Sequence, residues 1–194
     1  MILASVKPYY YYLIGEGKKK IEVRKSALKN LPQDIAFYMS KNEKSFAKIP
    51  KEFQEKYRKH FGKVGMRVVC DEAERFSVGS LRSDDIEKLA CLSYNEMINY
   101  FYKPKELDGK TAKQGFAWHI SGLKVYDKPK ELSEFKTPPC DKPGGACGNC
   151  KWLVKINTPD VYECECYVED GRPITRPPQS YMWVTEIEDG EDEK

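Results

Sequence analysis

Gly17-Lys18-Lys19-Lys20-Ile21-Glu22-Val23-Arg24 is the stretch on which the reading of this chain turns. It is a glycine turn, a cluster of cations, and then a strand in which apolar and charged side chains alternate. With the strand period of two, Ile21 and Val23 face one side while Lys20, Glu22 and Arg24 face the other. The strand therefore has one side to bury and one cation-rich side, and it is entered through Gly15 and Gly17. That arrangement suits an anionic ligand. It suits equally a solvated edge strand on which Glu22 and Arg24 neutralise each other, because charge runs commonly mark exposed faces.

Length and charge narrow the choice. At 194 residues the chain is one domain of ordinary size, with room for an insertion and for a proper core. No apolar run approaches the roughly 20 residues of a membrane helix. Lys7 interrupts the N-terminal apolar stretch too early for a secretory signal. A cytoplasmic protein with no membrane partner is the expectation. The formal charge of +3 hides an asymmetry: residues 186–194 carry six acids against Lys194, which leaves residues 1–185 at +8. A body that basic favours polyanionic partners through phosphate neutralisation and counterion release. Residues 188–194 are read as an acidic disordered tail.

The rest of the chain supplies strands and helices around that stretch. Residues 1–6 read as a buried first strand. Pro8 suits the first turn of a helix running to Gly15, since its missing N–H has no partner there anyway. Four consecutive tyrosines, Tyr9 to Tyr12, cannot all face a core, so one or two rings are exposed or line a pocket. Pro32 marks a turn, and residues 35–40 form a further strand. Residues 45–61 have helical spacing, with Pro50 breaking or starting a helix and His60 exposed at a lysine-rich end. Gly62 to Gly65 turn into a strand on which Met66, Val68 and Cys70 share a face. Residues 83–102 are helical. Ser83 or Asp84 is a first cap, with Glu87 close to the capping-box position, and Ser93 with Glu96 a second. Residues 116–126 make a strand with Phe116, Trp118 and Ile120 on one side and Ala117, His119 and Ser121 on the other. Pro129 is read as its breaker, with one helical turn after it. Residues 181–187 alternate as a closing strand.

Gly17, Lys19, Glu22 and Arg24 fit the spacing G-x-K-x-x-E-x-R, and this resembles the signature of the ASCH domains, a branch of the PUA-like β-barrels. The segment Ser5-Val6-Lys7-Pro8, with its amphipathic turn to Leu13-Ile14, resembles the lead into that motif. Phe116 to Ile120, Asp127 to Leu132, and Arg176-Pro177-Pro178-Gln179-Ser180 resemble segments of phage and prophage members. The likeness spans the chain except residues 137–175. It implies an α+β fold: a PUA-like mixed β-barrel of five or six strands, with helices at 8–15, 45–61 and 83–102. One domain would run over 1–187, with a Cys-rich insertion at 137–175.

The resemblance also implies a site. In this superfamily the signature residues line a cleft between barrel and helices that receives a nucleobase or nucleotide. Carried over residue by residue, Lys19 is the key cation, Glu22 and Arg24 stand beside it, and Lys7 completes the cleft. Arg176 and Gln179, held extended by two prolines, lie near it in relatives. His119 is a candidate if its face of the strand turns toward the cleft; a structural histidine is the plainer reading. The expected partner is a nucleic acid, RNA above all, or a modified base, with no cofactor in the cleft and the oligomeric state open. One branch of the family hydrolyses an acylated cytidine amide with a threonine where this chain has Glu22, and a carboxylate does not replace that hydroxyl. Other relatives are linked to RNA cleavage. There Lys19 would stabilise phosphorane charge and Glu22 would move a proton. Binding module, small metal-independent hydrolase, and phage inhibitor of a host factor are the three classes to separate.

The seven cysteines divide. Cys70 and Cys91 read as small core residues. Cys140, Cys147, Cys150, Cys164 and Cys166 follow the spacing C-x6-C-x2-C-x13-C-x-C. Cys147 and Cys150 make half a zinc knuckle. Cys164 and Cys166, on one face of a short strand, can supply the other half of a tetrahedral structural site, with Cys140 as substitute ligand. A disulfide or free thiols are the alternatives. The strands expected in this insertion are 152–156 and 162–168.

Overall fold

The computed structural model describes residues 1–78, 83–102, 113–138, 171 and 173–187. The five clustered cysteines, the hairpin expected within the insertion and the acidic tail lie outside the described residues. Alternating apolar residues build the centre. In β1 (Ile2–Val6) and β3 (Gln33–Met39), Ile2, Ala4, Val6, Ile35, Phe37 and Met39 face one core while Leu3, Ala36 and Tyr38 face another. The two strands run parallel, with Ile2 opposite Ile35 and Val6 opposite Met39. A parallel pair needs a crossover, and two elements lie on that path: α1 (Pro8–Gly15) and the signature strand β2 (Ile21–Arg24). Pro8 is the first residue of α1, where its missing N–H costs nothing.

Two short helices follow, α2 (Glu43–Phe46) and α3 (Lys51–Arg58). Pro50 is the reason for the break within the segment expected to be helical from 45 to 61: it caps α3, and its ring cannot continue α2. The chain then forms β4 (Val64–Ser77), α4 (Ser83–Ala90), α5 (Tyr94–Phe101) and β5 (Gln114–Lys130). The cap expected at Ser83 or Asp84 lies outside the described side chains. Ser93 caps α5 as its spacing to Glu96 predicts, with both arms of the capping box formed. A single 3-10 turn at Leu132–Glu134 precedes β6 (Phe135–Lys136); β7 (Tyr181–Trp183) and β8 (Thr185–Glu186) end the described chain.

Six strands form one sheet in the order β2-β5-β4-β3-β1-β7, and β6 pairs with β8. The sheet curls into a half-barrel whose open seam lies between β2 and β7. Side chains span that seam. Arg24 Nη1 donates to the Ser180 carbonyl (3.1 Å), and the Tyr181 hydroxyl donates to the Ala27 carbonyl (3.2 Å). Trp118, fully buried, meets Tyr181 edge-on at 5.3 Å and fills the space between.

Several expectations are corrected here. Pro129 does not break the strand: β5 runs on to Lys130, because beyond Ile120 it is paired only with β4 and its other edge needs no donor. The closing strand divides after Trp183, half of it pairing with β1 and half with β6. Cys91 packs against the edge of the core rather than within it. It sits half-buried just past α4 with φ of 51°, its amide bonded to the Lys88 carbonyl, in the left-handed position that ends many helices. His60 is 1% exposed rather than solvated. It packs against Tyr11 and Tyr57, and Gly65 lies so close that a Cβ there would collide with the imidazole.

Candidate functional site

Lys19 reaches the interior because the chain reverses after α1. Gly17 takes φ of +66°, open to glycine at no steric cost, and the Lys18 and Lys19 amides both donate to the Leu13 carbonyl. The chain enters β2 with Ile21 and Val23 against α4 and α5, and with Glu22 and Arg24 on the opposite face. The alternation is as the sequence predicts. The solvated edge strand is not what results: Lys19, Glu22 and Arg24 are 2%, 8% and 5% exposed. Lys20, expected on the polar face, stays outside in water.

The three buried groups hold one another. Lys19 Nζ donates to the Ala90 carbonyl (2.7 Å) at the last residue of α4 and lies 3.4 Å from Glu22 Oε2. A cation at a helix C-terminus also meets the negative end of the dipole. Burial pushes the Lys19 ammonium below its ordinary pKa, while Glu22 acts against that shift. Arg24 Nη2 lies 2.9 Å from Glu22 Oε1 and donates to the Ser5 carbonyl (2.8 Å). Its guanidinium lies 5.6 Å from the Trp118 ring centre.

These groups floor a cleft of about 950 Å³. From α1 come Tyr9 and Tyr10. The Tyr10 ring lies 5.4 Å from Lys19 Nζ, and its hydroxyl donates to Glu96 Oε1 at 2.9 Å. Burial first, then Glu96, raise the Tyr10 pKa above that of a free phenol. The other oxygen of Glu96 accepts from the Ser93 amide and hydroxyl, so the capping box that starts α5 also orients Tyr10. From α2 and its flanks come Asn42, Lys44, Ser45 and Lys48. From α5 come Glu96, Asn99 and Tyr100, and Lys25 Nζ lies 5.0 Å from the Tyr100 ring centre. Pro177, Pro178 and Gln179 form one lip, tied down where Ser5 Oγ donates to the Pro178 carbonyl (2.7 Å). Six cations line the cleft against two carboxylates.

Of the residues singled out in the sequence, Lys7, Lys19, Glu22, Arg24 and Gln179 come together in this cleft. His119 does not join them. Strand alternation turns it away with Ala117, to a position 3.8 Å from Glu74 Oε2. Arg176 is exposed, on the far side of the two prolines and off the lining. Lys25, Lys44, Lys48, Glu96, Asn99 and Tyr100 were not singled out. A signal for some of them existed: Glu96, Asn99 and Tyr100 share one face of α5, opposite Met97 and Phe101, and Lys44 and Lys48 are four apart. Among the described residues no group of His, Cys, Asp and Glu side chains is placed to hold a metal ion, and no helix is long and apolar enough to cross a membrane.

No protein-family model matches the chain, and no curated protein matches it. Solved structures do. The chain is similar to the ASCH protein from Zymomonas mobilis, at 17% identity and a TM-score of 0.51 over 95% of this chain and 87% of that one. A Tyr-to-Phe variant of that protein matches at 16% identity and 0.51, over 95% and 89%. A Ser-to-Ala variant matches at 17% and 0.53, over 95% and 87%.

Proposed function

The chain has an ASCH-type, PUA-like fold, and we propose that its cleft binds nucleic acid, RNA in the first place, through single-stranded or modified bases. The observation that carries this reading is the pairing of charge with flat rings in one concavity. Six cations against two carboxylates surround Tyr9, Tyr10 and Tyr100. Cationic grooves that track phosphate, with aromatic side chains on which bases stack, are how proteins take unpaired strands. The basic body of the chain adds long-range attraction.

The test is fluorescence anisotropy with a labelled RNA octamer across a salt series. With Lys7 and Lys25 each neutralising a phosphate and Lys44 and Lys48 sharing or dividing the next, log K should fall with log salt at a slope of about −2 to −3. The double substitution K44E/K48E should weaken binding at least tenfold and flatten the slope. Affinity untouched by both salt and substitution would overturn the reading.

A hydrolase using Lys19 and Glu22 is the second reading, favoured by a lysine of depressed pKa beside a carboxylate in a cleft. It requires groups free to move protons, and here the ammonium is bonded to Ala90 and the carboxylate to Arg24. Products formed from RNA or an acylated nucleoside, and lost with Lys19→Ala, would establish it. Structural zinc held by Cys147, Cys150, Cys164 and Cys166 remains part of the proposal.

A further inference from the structure

Floor and rims of the cleft carry their charge differently. At the floor, Lys19 and Arg24 are engaged by Glu22 and by the carbonyls of Ala90, Ser5 and Ser180. A phosphate seated there would take donors from those carbonyls and leave buried acceptors unpaired. The rims hold the available cations: Lys7, Lys44 and Lys48 on the side of α1 and α2, and Lys25 beside α5, all exposed. Exposed cations thus stand at the rims, and the engaged ones lie at the floor.

The flat surfaces form two platforms. Tyr9 and Tyr10 meet edge-on at 5.7 Å on α1. Tyr100 stands on α5, 40% exposed as a residue, held by Phe101 edge-on at 5.0 Å and by Lys25. The hydrogen bond from Tyr10 to Glu96 ties the two walls together. A volume of about 950 Å³ stands at the upper end of small-ligand sites, roughly 300–1,000 Å³, and exceeds what one nucleoside fills.

We propose that the cleft is built for at least two consecutive nucleotides of a single strand. One base packs at Tyr9 and Tyr10, the next at Tyr100 beside Lys25, and the phosphate between them turns outward to Lys44 and Lys48. This rests on the nucleic-acid reading above and goes beyond it, because a lone nucleoside or mononucleotide would occupy only half the site. A duplex does not fit, since its bases are already stacked and paired.

The test is competition against a fluorescent octa-adenylate, in RNA and DNA versions, by mono-, di- and triadenylates. The dinucleotide should compete at least tenfold better than the mononucleotide, and a third nucleotide should add less than threefold. Tyr100→Ala should weaken octamer and dinucleotide about 5- to 150-fold, the worth of one stacked base, and the mononucleotide, which keeps the Tyr9 and Tyr10 platform, by less. Tyr100→Phe should bind as the parent does. If Tyr100→Ala melts early by circular dichroism, Lys25→Gln replaces it, with a smaller loss of the same pattern. A mononucleotide that competes as well as the dinucleotide, or a Tyr100→Ala protein that binds the octamer normally, overturns the two-base site and leaves the nucleic-acid reading standing. An octamer that binds in neither RNA nor DNA form removes both.

Discussion

Glu22 sits between two cations that would otherwise repel each other in a partly dry site. Removing one member of a fully buried ionic group costs about 3–5 kcal/mol, because the remaining charge keeps its desolvation penalty. This site opens to a cleft that water can enter, so Glu22→Ala should cost less, about 2–3 kcal/mol in urea unfolding. Adding Lys19→Ala should restore part of that loss, a sign that repulsion between the cations is its source. His60 offers a second measurement. Burial, aided by Lys59 and Lys56, lowers its pKa from 6.5 to about 4. Above pH 6.5 the imidazole is neutral in both states and the fold keeps its full stability. Between 6.5 and 4 the unfolded chain binds a proton that the folded one refuses, so stability falls with falling pH; below 4 the loss stops growing. Between pH 7.5 and pH 5 the loss should be about 2 kcal/mol from this group. His60→Gln should remove that part of the slope.

At the scale of elements, α5 joins stability to site geometry. Its capping box uses Ser93 and Glu96, and the same Glu96 accepts the Tyr10 hydroxyl. Ser93→Ala should therefore cost about 1 kcal/mol in thermal or urea unfolding, as lost N-caps do. Unlike an ordinary cap deletion, it should also weaken ligand binding, because Glu96 loses the contacts that aim it. A stability loss with unchanged affinity would separate the two roles. The opposite wall is simpler: α2 is a single turn capped by Asn42, whose side chain accepts from the Ser45 amide. Element types were legible from local pattern here. Met97 and Phe101 mark the buried face of α5 by spacing, and Ser93 with Glu96 mark its start. The division of 45–61 into two helices was half legible, since Pro50 signalled a boundary without saying that both sides would be helical. The run of β5 through Pro129 was not legible, because it depends on which strand lies alongside.

For the whole molecule, the half-barrel leaves a seam that Arg24 spans, so one guanidinium serves the cleft floor and the closure of the sheet together. The insertion departs and returns at one place. Lys136 lies opposite Pro173, the Ile174 amide donates to the Phe135 carbonyl (2.7 Å), and Gly171, at φ of +73°, presses on Thr137 where no Cβ fits. The zinc proposed at Cys147, Cys150, Cys164 and Cys166 is open to direct measurement. The full chain purified without chelator should carry about one zinc ion bound by thiolates. Its removal should lower the melting temperature while leaving the slope of RNA binding against salt in place. Less than about 0.2 equivalents of metal would rule out the four-thiolate site.

What the amino-acid order alone determined is what depends on neighbours along the chain. The two-faced pattern of β2, the start of α1 at Pro8, the cap at Ser93 and the strand through Trp118 are set by periods of two and 3.6 and by local hydrogen bonding. Tertiary structure decided everything that needs two distant segments to meet. Lys19 finds its partner 71 residues away in Ala90, and Arg24 finds Ser180 at a distance of 156. His60 is buried only because Tyr11, Tyr57 and Gly65 close over it. His119 lies off the cleft because the sheet placed the other face of β5 there. Short-range periodicity specifies which side of an element is apolar. It carries no information about which charged group a buried one will meet, and that meeting sets the field inside the cleft.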